Sequence, residues 1–591
     1  MIRQEFRILR VDVSTGKGKI VLLGGRNEVA GGSGLAAMLY GRYGLPDKPW
    51  DDAAQPLIFA IGPLTGYFPL MSKMVCSFKS NYHNEYTESH AGGRAALSLR
   101  FTDLDALVIV GRAKKLSCLA IGTQALELKD ASFLRGMDAE GSGKLIRKMF
   151  RDGGGHRSIM RIGPAGEGRL AMASINVDTY RHFGRMGGGA VMGAKNIKGI
   201  LIHGDCDFPV PAGKAYSALY KDIYGKVTST EMMRKYHNLG TPVNLAGLND
   251  IASLPWNNLQ RTADPAIASI TGERFADETL LRNGACSGCP VGCIHIGFFR
   301  EKMAVDNRYH YHQVAYDYEP IFAAGTMLGV TNTFDVLRIL EAMEKAGLDA
   351  MSAGVALAWA TEATARGLIA AKETVLPLAF GDAQAYLQAA SHLGSGTTDF
   401  YKLLGQGTLR AAAVYGGSEF ACVLGQEMAG YATGELFFAA QTLGFRHSHL
   451  DTGAYSYDQK NSDKDVHKAV DFLIADEPGR AFLTSMVGCL FARAVYTEEQ
   501  LAECLAVIGF TGLAGSIPAA SEHIRRLRWQ VRAATGFSPE NFSIPKRFYQ
   551  VTTWKGPVDG GYMDSLKAEY GRKILELIGT VGITDSGPEK E

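Results

Sequence analysis

Cys286-Ser-Gly-Cys289-Pro-Val-Gly-Cys293-Ile-His295 sets three thiols within eight residues of a 591-residue chain. A chain of this length does not need so tight a group of cysteines for packing. Gly288 and Gly292 let the backbone turn sharply, so the sulfurs can approach one point. Pro290 narrows the conformations of the unliganded loop. Such a knot suits a thiophilic centre, either an iron–sulfur cluster or zinc. His295 could complete a Cys3His zinc site. A cluster needs a fourth thiolate, for which Cys489 in Leu483-Thr-Ser-Met-Val-Gly-Cys489 is the candidate. Spacing alone leaves both centres open, with the cluster slightly favoured.

Working outward, the chain is long enough for two to four domains. A hydrophobic fraction of 46% and a charged fraction of 21% describe an ordinary globular protein. Glycine numbers 70, well above the usual share of about 7%, which points to tight turns and close approaches to something bound. Lysine and arginine total 62 against 60 acidic residues, so no global field draws nucleic acid or a membrane surface. No apolar run is long enough to span a bilayer, because Ala353 to Ala371 carries Glu362 and Arg366. The first residues alternate like a strand and lack the apolar stretch of a signal peptide. Cys76, Cys118, Cys206, Cys422 and Cys504 read as buried, reduced thiols. These features point to a cytoplasmic protein. The run Arg525, Arg526, Arg528, Arg532 reads as a solvated helix face, with a docking surface as the minor reading.

The first two hundred residues are strand-rich, with Leu57-Ile-Phe-Ala-Ile, Ala106-Leu-Val-Ile-Val and Ile200-Leu-Ile-His-Gly between Gly, Pro and Asp. Phe208-Pro-Val-Pro-Ala-Gly marks a domain boundary. Helical periodicity follows: Phe334 to Ala346 with Thr333 as N-cap and Gly347 as stop, a helix from about Gly354, and another from Asp399 to Val414. Gly416 and Gly417 mark a second boundary, and the chain closes in a polar tail from Ser586. The expected fold is α+β: residues 1–207 a β-rich domain, then two mainly helical domains, 208–415 with the cysteine loop and 416–591 with Cys489.

Gly31-Gly-Ser-Gly34 reads as a turn before a short helix in preference to a dinucleotide loop, because no βαβ pattern surrounds it. Glu88-Ser-His-Ala-Gly-Gly-Arg94 and Arg181-His-Phe-Gly-Arg185-Met-Gly-Gly-Gly carry more weight. Exposed backbone N–H groups beside arginine suit phosphate anions. Two such loops and a distant cysteine knot point to a phosphorylated cofactor beside a redox cluster.

Further motifs run nearly end to end: Ile61-Gly-Pro-Leu-Thr-Gly66, Ile162-Gly-Pro-Ala-Gly-Glu167, Gly184-Arg-Met-Gly-Gly-Gly-Ala-Val-Met-Gly-Ala-Lys-Asn-Ile-Lys198, the cysteine loop, Asp317-Tyr-Glu-Pro320, Glu344-Lys-Ala-Gly-Leu-Asp349 and Cys489. On these, in their order, the chain resembles the aldehyde:ferredoxin oxidoreductases. It implies a tungsten (or molybdenum) bis-pyranopterin, a [4Fe–4S] cluster held by Cys286, Cys289, Cys293 and Cys489, and a Mg2+ bridging the pterin phosphates through the carbonyls of His90 and Met186. His295 then becomes a bystander. The implied pterin contacts are Lys73; Ser89, His90, Ala91, Gly92, Gly93 and Arg94; Arg185, Met186, Gly187 and Gly188; Glu344, Gly347, Leu348 and Asp349; and Thr484 and Gly488. Four positions depart from the family pattern: Lys73 stands for Arg, His90 for Asn, and Glu344 and Thr484 for Asp. Lysine keeps the charge and loses the bidentate fork.

The resemblance further implies conversion of an aldehyde and water to a carboxylic acid, reversible as acid reduction. Glu319 is the expected general base, with a pKa raised by shielding, and His449 the donor to the substrate oxygen, with His447 as second choice. His310 and His312 are expected to shape an access channel from a polar aromatic loop. Electrons would pass to ferredoxin or to a separate iron–sulfur subunit, in an oligomer or hetero-complex. The alternatives are a benzoyl-CoA reductase-type tungsten subunit and a non-catalytic cluster-bearing electron carrier.

Overall fold

The computed structural model describes residues 3–150, 155–207, 209–211, 213–303 and 308–579. Two six-stranded sheets fill its first third. The first runs in the order Lys17–Leu23, Phe6–Asp12, Ala106–Val110, Leu57–Ala60, Met74–Lys79, Tyr86–Ala91. The second runs Arg181–Phe183, Ile175–Val177, His156–Arg161, Ile197–Gly204, Ser117–Gly122, Leu126–Asp130. Each sheet has one parallel pairing, Phe6–Asp12 with Ala106–Val110 and Ile197–Gly204 with Ser117–Gly122. The sheets pack face to face: Val11, Phe59 and Ile109 of the first share one core with Ile121, Ile162 and Ile200 of the second. The intervening residues Ile8, Ile58, Ala60 and Val108 turn the other way, into the core of the helical regions. Burial on both faces is why these strands read as unbroken apolar runs.

The expected boundary at Phe208 falls on a residue outside the described set, as does the tail from Ser586. The last strand of the second sheet ends at Gly204, and the helix Lys214–Ser229 follows. The middle of the chain is mainly helical but carries a three-stranded antiparallel sheet, Leu280–Gly284, Ile294–Lys302 and Tyr309–Tyr316. The cysteine loop joins its first two strands, with Gly288 and Gly292 at φ 67° and 64°. His310 and His312 therefore lie on a strand and not in a loop. His312 stacks on Phe299 and bonds Glu341 at 2.6 Å.

Helix Thr333–Ala346 is capped by Asn332, whose side chain accepts from the Asp335 N–H, and not by Thr333. It stops at Gly347, at φ 73°. The next helix starts at Ala350, earlier than periodicity implied, because Asp349 caps it. The pattern from Asp399 divides into Asp399–Leu404 and Thr408–Tyr415, parted by two glycines. Gly31-Gly-Ser-Gly34 opens a full helix, Gly32–Tyr43. One apolar core continues past Gly416 and Gly417, from Leu245 to Ile578.

The last third lies backbone to backbone against the first. A Cβ on Gly32 would stand 2.4 Å from the Thr484 carbonyl, and one on Gly62 would stand 2.6 Å from that of Met486. The Cys489 N–H donates to the Leu70 carbonyl, and the Lys73 N–H to that of Val487. Among the described residues, no helix is long and apolar enough to cross a membrane.

Helix Ile517–Ala534 overturns the reading of its arginines as a solvated face. Arg525, Arg528 and Arg532 are buried, and Arg528 and Arg532 pair with Glu88 and Glu85 beside the sheet edge. Cys206 is half-buried, whereas the other four non-loop thiols outside Cys489 are buried.

Candidate active site

The three regions enclose one cavity of about 1030 Å3. Its wall includes Cys286, Cys289, Cys293 and Cys489, Lys73, Glu319 and His449. Ser89, His90, Arg185, Met186, Glu344, Leu348, Asp349, Thr484 and Gly488 also border it. Ala91, Gly92, Gly93, Arg94, Gly187, Gly188 and Gly347 do not border it, although they adjoin wall residues.

These glycines act by allowing close approach. A Cβ on Gly92 would stand 2.6 Å from Cys286 Sγ and 3.5 Å from Lys73 Nζ. Gly187, at φ 84°, leaves room for Asn81. Gly347 passes Gly163 so closely that a Cβ would meet its nitrogen at 2.7 Å. Arg94 points to Asp178 at the surface, 3.2 Å away.

None of the four thiols is in a disulfide. Burial pushes Cys289 up to about 11 and Cys293 to about 12, so a bound metal must displace their protons. Lys73 and Arg181 both stand within electrostatic reach of Cys286, Cys293 and Cys489. Among the described residues, no three His, Cys, Asp or Glu side chains stand close enough to hold a single ion. His295 is fully buried, and its ring lies against the carbonyls of Asn238, His237 and Cys293. A thiol donor set on a cavity wall beside two half-buried cations fits a polynuclear anionic cluster.

The polar loops leave donors open. Arg185 holds Asp349 at 3.2 Å and the Glu427 carbonyl, while its Nη1 is buried without a partner, as is Arg181 Nε. Such guanidinium groups fit phosphate oxygens. Met186 sits at φ 69°, and its carbonyl accepts from Ser80. Glu344 is occupied by His182 and Asn176, the latter at 3.0 Å. Burial raises the Glu344 pKa, but His182, Arg161 and Asn176 together outweigh it, so the net shift is downward.

Glu319 opens helix Tyr318–Ala324. Its Oε1 accepts from Tyr431 Oη at 2.9 Å and lies 3.0 Å from His449 Nε2. The carboxyl is not raised as expected: burial pushes it up, but His449 and then Tyr431 outweigh burial and leave it lowered. Asp317, two residues away, is raised by burial and by the charge of Glu319. His449 Nδ1 is buried and, among the described residues, unpartnered. His447 lies outside the cavity wall: Arg532 Nη2 meets its Nε2 at 2.8 Å, and Nδ1 lies 3.0 Å from the Thr442 carbonyl. His310 and His312 are also absent from the wall, so they do not shape the cavity.

Sequence reading missed Tyr431, His182 and Glu88. No local pattern marks Tyr431. His182 lies inside the Arg181 loop, and Glu88 begins the stretch quoted for its glycines.

The fold and its chamber define a class: a paired-sheet domain closed by helices, with thiols and an acid–histidine corner facing one cavity. Within that class, the chain belongs to the aldehyde ferredoxin oxidoreductase family, and is therefore an oxidoreductase. Residues 8–204 match the family's N-terminal domain and residues 218–574 its domains 2 and 3. The tungsten-containing aldehyde ferredoxin oxidoreductase of Pyrococcus furiosus is 27% identical over 94% of this chain and 93% of its own. A WOR-like subunit of an aliphatic sulfonate oxidoreductase from the same organism is 28% identical over 60% of this chain and 58% of its own. Among solved structures, the BamBC active-site complex of benzoyl coenzyme A reductase, bound to 1,5-dienoyl-CoA, contains a chain that superposes with a TM-score of 0.77. That match has 18% identity over 96% of this chain and 95% of the other, and it shows a shared fold.

Proposed function

We propose that the chain oxidises an aldehyde with water to a carboxylic acid at a tungsten (or molybdenum) bis-pyranopterin. The observation that carries this reading is the Glu319–His449–Tyr431 corner, which opens onto the same cavity as the four cysteines. The bound metal would take two electrons from the substrate, and a [4Fe–4S] cluster would pass them on singly.

Cys286, Cys289, Cys293 and Cys489 would hold the cluster, with Lys73 between it and the pterin. Segments 89–94, 185–188, 344–349 and 484–488 would hold the pterins, with Mg2+ against the carbonyls of His90 and Met186. Glu319, kept ionised by His449 and Tyr431, takes a proton from water. His449 sets Nε2 against Glu319 and keeps Nδ1 for the substrate oxygen. Tyr431 fixes the carboxylate between them. The electrons leave for ferredoxin or a separate iron–sulfur subunit, and the chain works in the cytoplasm.

The test is anaerobic purification, with tungsten, molybdenum, iron and released pterin measured per chain, followed by assay of aldehyde-dependent viologen reduction. Metal, pterin and aldehyde turnover are expected together. Reduction of aromatic acyl-CoA thioesters without aldehyde turnover would replace this reading, and absence of pterin would end it.

A further inference from the structure

One carboxylate at the cavity wall is left unexplained by the corner around Glu319. Glu88 lies on strand Tyr86–Ala91, and its side chain is fully buried. Its Oε1 is crowded with donors: Arg528 Nη2 at 2.5 Å, Ser33 Oγ at 3.1 Å and His90 Nε2 at 3.2 Å. Its Oε2 is buried as well, and among the described residues no group bonds it. An ionised carboxylate with one oxygen saturated and the other bare is costly unless a donor arrives from outside the chain.

The surroundings hold that carboxylate ready. Arg528 is itself pinned over the Phe445 ring, 3.9 Å from its centroid. His90 is steadied from its other nitrogen by Arg446, at 3.1 Å, and Arg446 by Asp451. Ser33 Oγ, which stands 3.0 Å from Thr484 Oγ1, has one proton for Glu88 or for Thr484, and the Thr484 hydroxyl lies 3.0 Å from the Ala481 carbonyl. Thr484 thus has no carboxylate to offer at its stretch of the wall, and Glu88 is the anion there.

We propose that Glu88 is a cofactor-positioning residue whose Oε2 accepts N–H donors of a fused nitrogen heterocycle bound in the cavity. This rests on the reading that the cavity holds a pterin. The ligand chemistry is a face of adjacent amino and ring N–H groups, for which a fixed carboxylate oxygen is the complementary acceptor. Arg528, His90 and Ser33 orient the group by occupying the other oxygen.

The test compares wild type, Glu88→Gln and the double variant Glu88→Met/Arg528→Met, each purified anaerobically. Pterin released per chain and metal per chain are read alongside Tm. In Glu88→Gln the amide oxygen stays with Arg528, which turns NH2 toward the ligand donors. Retained pterin is expected to fall roughly tenfold, the equivalent of one charge-assisted hydrogen bond. The double variant removes both charges, so no buried cation is stranded. It is expected to stay folded, with a Tm loss limited to what Glu477 forfeits while it keeps Arg525 and the Trp529 N–H, and to retain no more pterin than Glu88→Gln. Wild-type pterin content in either variant overturns the proposal, because Glu88 would then serve only to neutralise Arg528 or to hold water. Wild-type protein free of pterin overturns both this proposal and the reading beneath it.

Discussion

Two buried corners of this molecule each set a glutamate and a histidine around a third polar side chain, tyrosine in one and arginine in the other. One joins Glu319, His449 and Tyr431; the other joins Glu85, His447 and Arg532. Their histidines are two residues apart in the chain. In the second corner both His447 nitrogens are occupied, by Arg532 and by the Thr442 carbonyl. In the first, His449 Nδ1 has no partner among the described residues and the ring borders the cavity. The carboxylates move in opposite directions. Burial raises Glu85 more than Arg532 lowers it, whereas His449 and Tyr431 overcome burial at Glu319. Residue type therefore does not separate a reactive corner from a structural one, but an unfilled bond at a cavity does.

The largest effect expected is on turnover. Glu319→Gln should fold and keep its metal while losing about 10²–10⁴-fold in aldehyde oxidation at saturating substrate. Undiminished turnover would make this corner as structural as the other.

Arg532→Met should act on stability alone. Leaving Glu85 buried and unpaired costs about 3–5 kcal/mol, read as a lower denaturation midpoint, with turnover per folded chain preserved. His447→Asn removes the ring that fills the Arg532 fork and should cost about 1–3 kcal/mol in the same measurement. A selective loss of turnover by His447→Asn would move that residue to the reactive side.

The smallest effect is a slope. Glu85 has a folded pKa above its unfolded value, so its contribution is fully present below about 4.5 and is lost as pH rises through the folded pKa. Glu319 has a folded pKa below its unfolded value, so its contribution is present above about 4.5 and is lost as pH falls through the folded pKa. Tm against pH should therefore tilt in opposite senses when Glu85→Gln and Glu319→Gln are each compared with wild type. Tilts of the same sign would break the contrast.

Much of the scaffold was legible because its signals are local. Ala106–Val110 announces a buried strand, Gly347 ends its helix, and Gly288 and Gly292 turn the cysteine loop. The corners were less so, because their partners are far apart in the chain. Arg528 and Arg532 looked like a solvated face, since the glutamates that neutralise them lie about 440 residues away. The expectation of a raised Glu319 pKa counted burial alone, because nothing near Asp317-Tyr-Glu-Pro320 marks Tyr431 or His449 as donors. Asn332 took the cap from Thr333 because an amide reaches the Asp335 N–H, a choice that neighbouring polar residues leave open.

The glycine seams at Gly32 and Gly62 also bear on the order in which the molecule is made. Both sheets are complete in sequence by Gly204, and the cysteine loop by Cys293. The backbone that lies against those glycines, from Thr484 to Met486, leaves the ribosome much later. Synthesis at about 5–20 residues per second leaves the half-built chamber open for many seconds. The two sides of each seam therefore meet only after the sheets have had that interval on their own.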